Sequence, residues 1–254
     1  MVGDVVGSGG SDAVTRILPA VKDEFSIDFV CLQGENLAKG FGMTLETVQE
    51  MLDAGADVIT SGNHIWDRKD FIKHLEGGQL PVLRPLNYPP SAPGRGAIDL
   101  GPVAVVNLLG RVFVGESDSP FAAIDDLLAG GFGAGKPVIV DFHAEATSEK
   151  AALGFHLDGR VSVVAGTHTH VATADARVLP GGTAYVSDLG MVGAIDSVIG
   201  MAAESALARF LTGVTHRFQP VERGRMRFNS VMVETDDATR KAVSIQRIDR
   251  EITV

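Results

Sequence analysis

Eight side chains in this sequence combine metal-binding or proton-transfer chemistry with a suggestive setting: Asp4, Glu35, Asn36, Asn63, His64, His143, His168 and His170. They stand in five short segments: Gly3-Asp4, Gly34-Glu35-Asn36, Ser61-Gly62-Asn63-His64, His143 and Gly166-Thr167-His168-Thr169-His170. Imidazole suits zinc, iron, copper and nickel, whereas carboxylate and carbonyl oxygens suit harder ions such as manganese. The mixed donors Asp4, Glu35, Asn36, Asn63, His143, His168 and His170 therefore favour iron or manganese over a structural zinc. They are too many for one ion, and Glu35 has two oxygens with which to bridge a pair. Two ions about 3.5–4 Å apart form the arrangement that clamps the attacking and leaving oxygens of phosphoryl hydrolysis.

Each residue also has a plainer reading. Asp4, Asn63 and His64 could be turn residues, His143 a hydrogen-bonded core histidine, and His168 and His170 one face of an extended edge. Those readings weaken together, because four of the seven histidines fall at strand ends. The other three, His74, His156 and His216, lack that setting and read as surface or helix residues.

The elements that must position these groups are legible as short Val- and Ile-rich runs alternating with helical patterns, the signature of an α/β protein with parallel strands. Residues 28–33, 57–60, 103–108, 137–142 and 161–165 read as strands. Residues 12–25, 44–54, 69–75, 121–128 and 148–156 read as helices, the first kinked or divided at Pro19. Later strands at 183–187, 228–234 and 242–248 alternate enough to suggest a half-exposed antiparallel edge. Four of the five segments begin where a strand ends, so parallel strands would bring them to one rim of a sheet, where open α/β folds place their ligands. The glycines of Gly7-Ser8-Gly9-Gly10 do not meet the Gly-x-Gly-x-x-Gly pattern, and no full strand precedes them, so a dinucleotide-binding turn is a weak reading.

At 254 residues the chain fits one domain spanning 1–254. A formal charge of −10 argues against bulk nucleic-acid binding, which needs clustered Lys and Arg. Cys31 is the only cysteine, which excludes an intramolecular disulfide and disfavours a thiolate cluster; its apolar neighbours read as a buried strand. No run approaches the about 18 apolar residues of a membrane span, and no charged leader precedes an apolar stretch. The expectation is a cytoplasmic protein without membrane association, and homo-oligomerisation stays open.

Taken in order, the five segments resemble the motifs of the calcineurin-like metallophosphoesterases. The stretches Gly62-Asn63-His64-Ile65-Trp66-Asp67, Arg84-Pro85-Leu86-Asn87-Tyr88-Pro89, Asp141-Phe142-His143-Ala144-Glu145-Ala146-Thr147-Ser148-Glu149-Lys150 and Gly166-Thr167-His168-Thr169-His170-Val171 narrow the resemblance. They are similar to the bacterial YmdB-like family of 2′,3′-cyclic nucleotide phosphodiesterases, over nearly the whole chain. The resemblance implies a four-layer α/β/β/α sandwich holding two metal ions, with iron favoured and manganese the alternative. It implies Asp4, Asn36 and His170 on one ion, Asn63, His143 and His168 on the other, Glu35 between them and His64 as proton donor. The substrate would be a small phosphate ester, most narrowly a 2′,3′-cyclic nucleotide, attacked by a metal-bound hydroxide. A broader phosphomonoesterase or phosphodiesterase, or a regulatory or scaffold protein that uses the site to sense nucleotides, are the alternatives.

The wider superfamily opens with Asp-x-His, but Val6 occupies the third position here, and Asn36 is the natural substitute ligand. Glu35 replaces the usual bridging Asp, as in the narrower family. Only Met1, Val2 and Gly3 precede Asp4, where the family has a hydrophobic strand; the expectation is a truncated or misassigned start that leaves Asp4 poorly anchored. Arg84, Asn87 and Arg111 are candidates to meet phosphate or base. Glu145 is either an acceptor that orients a histidine or part of a helix start. Asp188 and the loop from Gly190 to Gly200 could border the pocket.

Overall fold

A computed structural model describes residues 1–254 as two β-sheets that face one another, with helices on both outer surfaces. The first sheet runs β3 (Val58–Thr60), β2 (Cys31–Gln33), β1 (Asp4–Val5), β10 (Met191–Ala194), β11 (Arg225–Phe228) and β14 (Arg250–Thr253), with Val2 bridging to Leu32 between β1 and β2. The second runs β4 (Ala97–Asp99), β5 (Ala104–Leu109), β6 (Val138–His143), β7 (Val163–Thr167), β9 (Ala184–Val186) and β8 (Arg177–Val178). Strands β5, β6, β7 and β9 are parallel, and β4 and β8 are antiparallel edges. The hairpin β12 (Val231–Thr235) and β13 (Ala242–Arg247) lies against β8 and β9.

Alternation along the strands divides the core into layers. Leu32 and Ile59 point under α1 (Gly7–Phe25), α2 (Leu45–Asp53) and α3 (Lys69–Glu76), whereas their neighbours Cys31 and Val58 meet Val105 between the sheets. Val106, Val140 and Val164 face α4 (Pro120–Ala129) and α5 (Thr147–His156), while Val105, Ile139 and Val163 turn inward. Strands buried on both faces must be apolar at every position, which is why they read as continuous runs rather than alternating ones. Each such side chain contributes about 1.5–3 kcal/mol on leaving water. The result is the α/β/β/α sandwich. No helix is long and apolar enough to cross a membrane.

Several expectations need correction. Helix α1 is not divided at Pro19; that residue lies on the exposed face, where water can take the carbonyl its missing N–H leaves free. The same helix starts at Gly7 rather than residue 12, because its first turn presses on the first sheet: a Cβ on Gly10 would lie 2.5 Å from the Val192 carbonyl oxygen. The strand expected at 228–234 is two, β11 and β12, broken at Asn229-Ser230 where the chain passes from the first sheet to the hairpin. A sixth helix, α6 (Ala203–Thr212), is not among the expected ones.

Asp4 is firmly held, contrary to the expectation of poor anchoring. The Val2 N–H donates to Cys31 O, and Val2 O accepts from the Gln33 N–H on one side; on the other, the Gly3, Asp4 and Val6 N–H groups donate to Asn229, Gly190 and Val192. Hydrogen bonds on both flanks make this short segment a central strand of its sheet.

Candidate metal centre

Strands β2, β3, β6 and β7 run parallel within their sheets, and the register sets His143 level with Thr167 and with Leu109. Their C-terminal ends therefore deliver Glu35, Asn63, His143 and His168 to one rim. Glu35 Oε1 lies 3.0 Å from His143 Nε2, and its Oε2 accepts the His64 N–H at 3.0 Å. His168 Nδ1 is 3.0 Å from the same His143 nitrogen. Ligand atoms of Glu35, His143 and His168 all fall within 4.8 Å of one another, close enough to share a cation. Gly62 is required for this closeness, because a Cβ there would run into both His143 and Glu35.

His170 and Asn36 form a second donor group with Asp4. The His170 Nδ1 is 2.8 Å from Ile199 O, which leaves Nε2 facing Asn36 Oδ1 at 3.3 Å and Asp4 Oδ1 at 3.9 Å. Asn36 donates its Nδ2 to Gly40 O, so its oxygen is the atom turned to the centre. Asp4 Oδ2 accepts the His168 N–H at 3.2 Å, tying the two groups together.

Two oxygens among these donor groups have nothing to bond. Asp4 Oδ1 and Asn63 Oδ1 are buried without any hydrogen-bond partner, an arrangement that costs about 1–3 kcal/mol per group unless something compensates it. A cation would. The protonation pattern also suits one. Burial opposes ionisation of Glu35, yet the charge and hydrogen bond of His143, together with His64, bring its carboxyl down to about 2. Burial and then the charge of His143 push His168 down to about 3, leaving a neutral ring with a lone pair. Burial raises the Asp4 carboxyl well above its usual range, opposed by His143 and reinforced by Asp188, Glu35 and Asp141. Against burial, the charges of Glu35, Asp4 and Asp141 push the His143 imidazole up to about 9, so the buried acids draw positive charge to this point, and the donor set is chemically fit to receive a cation there.

His64 sits beside this centre with 28% of its side chain exposed. Its Nδ1 meets Asp67 Oδ2 at 2.9 Å and its ring packs T-shaped with Phe41, which leaves Nε2 as the ring nitrogen not engaged by Asp67. Glu145 settles as an acceptor, 3.1 Å from His168 Nε2.

Two candidates turn away. The Arg84 guanidinium is buried and donates to the backbone oxygens of Pro85, Leu86, Ala92 and Pro93, and Asn87 is buried against Leu109 and Asp118. Both brace the 84–96 loop: Asn87 commits both amide hydrogens and Arg84 four of its five N–H groups to backbone oxygens. Arg111 is exposed, with its backbone held by Glu149. Apart from Glu145, sequence reasoning missed the layer behind the histidines. Gln33 Nε2 and Thr167 Oγ1 contact His143 Nδ1 at 3.1 and 3.0 Å, and Asp141 accepts from the hydroxyls of Thr60 and Thr167. Only Asp67, three residues beyond His64, had a spacing that could have revealed it.

This geometry agrees with what the chain resembles among known proteins. Residues 1–248 match the family described as YmdB-like protein. A Bacillus subtilis protein named 2′,3′-cyclic-nucleotide 2′-phosphodiesterase is 44% identical over 252 residues, covering 97% of this chain and 94% of that one. A Thermus thermophilus structure titled only as a hypothetical protein superposes with a TM-score of 0.91 at 42% identity, over 98% of this chain and 97% of its own. A Mycoplasma pneumoniae structure described as a novel phosphatase does so with a TM-score of 0.89 at 32% identity, over 99% and 92%. Matched from its first strand to its last sheet, with the strand-end donors gathered at one rim, the chain belongs to the YmdB-like family.

Proposed function

We propose that this chain is a dinuclear-metal phosphodiesterase for small phosphate esters, with 2′,3′-cyclic nucleotides as its substrates. As a YmdB-like protein it is a phosphoric ester hydrolase. The observation that carries the finer reading is the pair of buried, unpartnered oxygens, Asp4 Oδ1 and Asn63 Oδ1, one in each donor group. On this reading Asp4, Asn36 and His170 would hold one cation, Asn63, His143 and His168 the other, and Glu35 would bridge them. Iron suits the imidazole-rich set, and manganese is the alternative. When bound, two such cations supply Lewis-acid activation of water and neutralise charge on the phosphoryl oxygens.

The protein's own groups do the rest. His64 Nε2 would protonate the departing alkoxide, while Asp67 holds the opposite ring nitrogen. The Glu35 carboxylate fixes the His64 backbone relative to the centre. Glu145 and the Ile199 carbonyl fix the rings of His168 and His170, the usual way in which outer partners orient metal-binding imidazoles.

A side-by-side assay of p-nitrophenyl phosphate, bis(p-nitrophenyl) phosphate and 2′,3′-cyclic AMP with Mn²⁺- or Fe²⁺-loaded protein tests this. The expected result is turnover of the cyclic nucleotide and the diester in preference to the monoester. Preference for the monoester, or cyclic-nucleotide binding without hydrolysis, would overturn it.

A further inference from the structure

Lys150 and Asp188 form an ion pair of 2.7 Å with each side chain only 2% exposed. A pair so buried is costly unless its geometry is well satisfied, and Asp188 is satisfied completely. Its Oδ2 accepts from Lys150 Nζ, the Thr169 N–H at 3.1 Å and the Thr169 hydroxyl at 2.8 Å, while Oδ1 accepts the Gly190 N–H at 2.8 Å. Burial also rules out direct contact between Lys150 and a substrate.

The partners of this carboxylate are informative. Thr169 separates His168 from His170, and both histidines are held at positive φ, 101° and 65°, a backbone region that L side chains rarely adopt and that needs support from its surroundings. Gly190, held through its N–H, uses its carbonyl to accept the Asp4 N–H. Lys150 lies on α5, the helix that follows His143 and Glu145. One carboxylate thus joins the segments carrying Asp4, His168 and His170, and one ammonium ties it to the segment after His143.

We infer that Lys150 and Asp188 are a positioning pair for the metal centre: through Thr169 and Gly190 they hold His168, His170 and Asp4 in the arrangement that receives cations. This rests on the reading of those three residues as ligands. Neither partner touches a cation or substrate; the pair acts through the backbone between the two histidines. Partners beyond the ligands of metal sites characteristically change metal affinity by about 10–100-fold when removed.

The test uses Thr169→Val, Lys150→Met and the double variant Lys150→Met/Asp188→Asn, which removes both charges and so avoids leaving one buried alone. Mn²⁺ affinity is measured by chelator competition, alongside near-UV circular dichroism of the metal-free proteins and kcat and KM at saturating Mn²⁺. The expected result is native-like dichroism for Thr169→Val and the double variant, with Mn²⁺ affinity lowered about tenfold or more, and recovery of most kcat with unchanged KM once metal saturates. Wild-type Mn²⁺ affinity in both of these variants would overturn the positioning role while leaving the metal-centre reading intact. Failure of the wild-type protein itself to bind Mn²⁺ would overturn both.

Discussion

The backbone N–H of His64 donates to Glu35 Oε2 at 3.0 Å, so the carboxylate at the heart of the donor cluster also fixes the position of the residue proposed as proton donor. The contact uses the His64 main chain, not its ring. Removing the ring therefore leaves the cluster's own geometry in place, which separates proton transfer from metal binding. His64→Ala is expected to retain its metal content while kcat for 2′,3′-cyclic AMP falls about 10²–10⁴-fold, the usual range for general acid catalysis. Turnover at the wild-type rate would remove His64 from the reaction.

Glu35→Gln keeps the shape of the side chain and discards its charge. Glu35 is buried between His143 and the His64 backbone, so the variant is expected to fold but to weaken both ions together. Elemental analysis after dialysis checks this. Full occupancy at both positions would contradict a bridging role.

Metal removal should reach beyond activity. With Asp4 Oδ1 and Asn63 Oδ1 buried and unpartnered, the metal-free protein carries a penalty that a cation relieves. A ligand at 100 times its Kd stabilises by about 2.7 kcal/mol, which for a chain of this size corresponds to roughly 5–10 °C in Tm. Differential scanning calorimetry of chelator-treated protein with and without added Mn²⁺ should show a rise of that order. An unchanged Tm would argue that these oxygens have no cation to meet.

Part of the acid sensitivity should arise away from the centre, at Asp249. Burial opposes its ionisation, but the hydrogen bond from Arg247 and the Ser230 N–H hold its carboxyl below the usual range. A carboxyl with a depressed folded pKa stabilises the fold above its unfolded pKa of about 3.9, and loses that contribution as pH falls through the folded value. Metal-free wild type is therefore expected to exceed Asp249→Asn in urea stability at pH 7, with the gap narrowing as pH falls below the unfolded value. A gap that persists unchanged at pH 3 would show that the charge of Asp249 contributes nothing.

The donor residues were legible because chemistry and position coincided: His143, His168 and His170 each end or follow an apolar run, and strand direction alone could gather them. Asp141, Thr60 and Gln33 were not legible, since a polar residue inside a short strand gives no sign of which layer it faces. Lys150 and Asp188 are 38 residues apart, and nothing local links them; the fold alone makes them a pair. Arg84 and Asn87 misled for a related reason. A charged or amide side chain in a Pro-rich loop can serve the loop's own carbonyls as readily as a ligand, and here the backbone needed those donors. Helix α6 escaped notice although Ala203, Ala206, Leu207, Phe210 and Leu211 recur at helical spacing; only Ala206 is buried, and Leu207, Phe210 and Leu211 stay exposed.

The most direct test of a two-metal phosphodiesterase is a titration of metal-free protein with Mn²⁺, following bound metal and 2′,3′-cyclic AMP hydrolysis in the same samples. The account predicts saturation at two ions per chain, with hydrolysis appearing as the second position fills. Saturation at a single ion with full hydrolysis, or two bound ions with none, would contradict it.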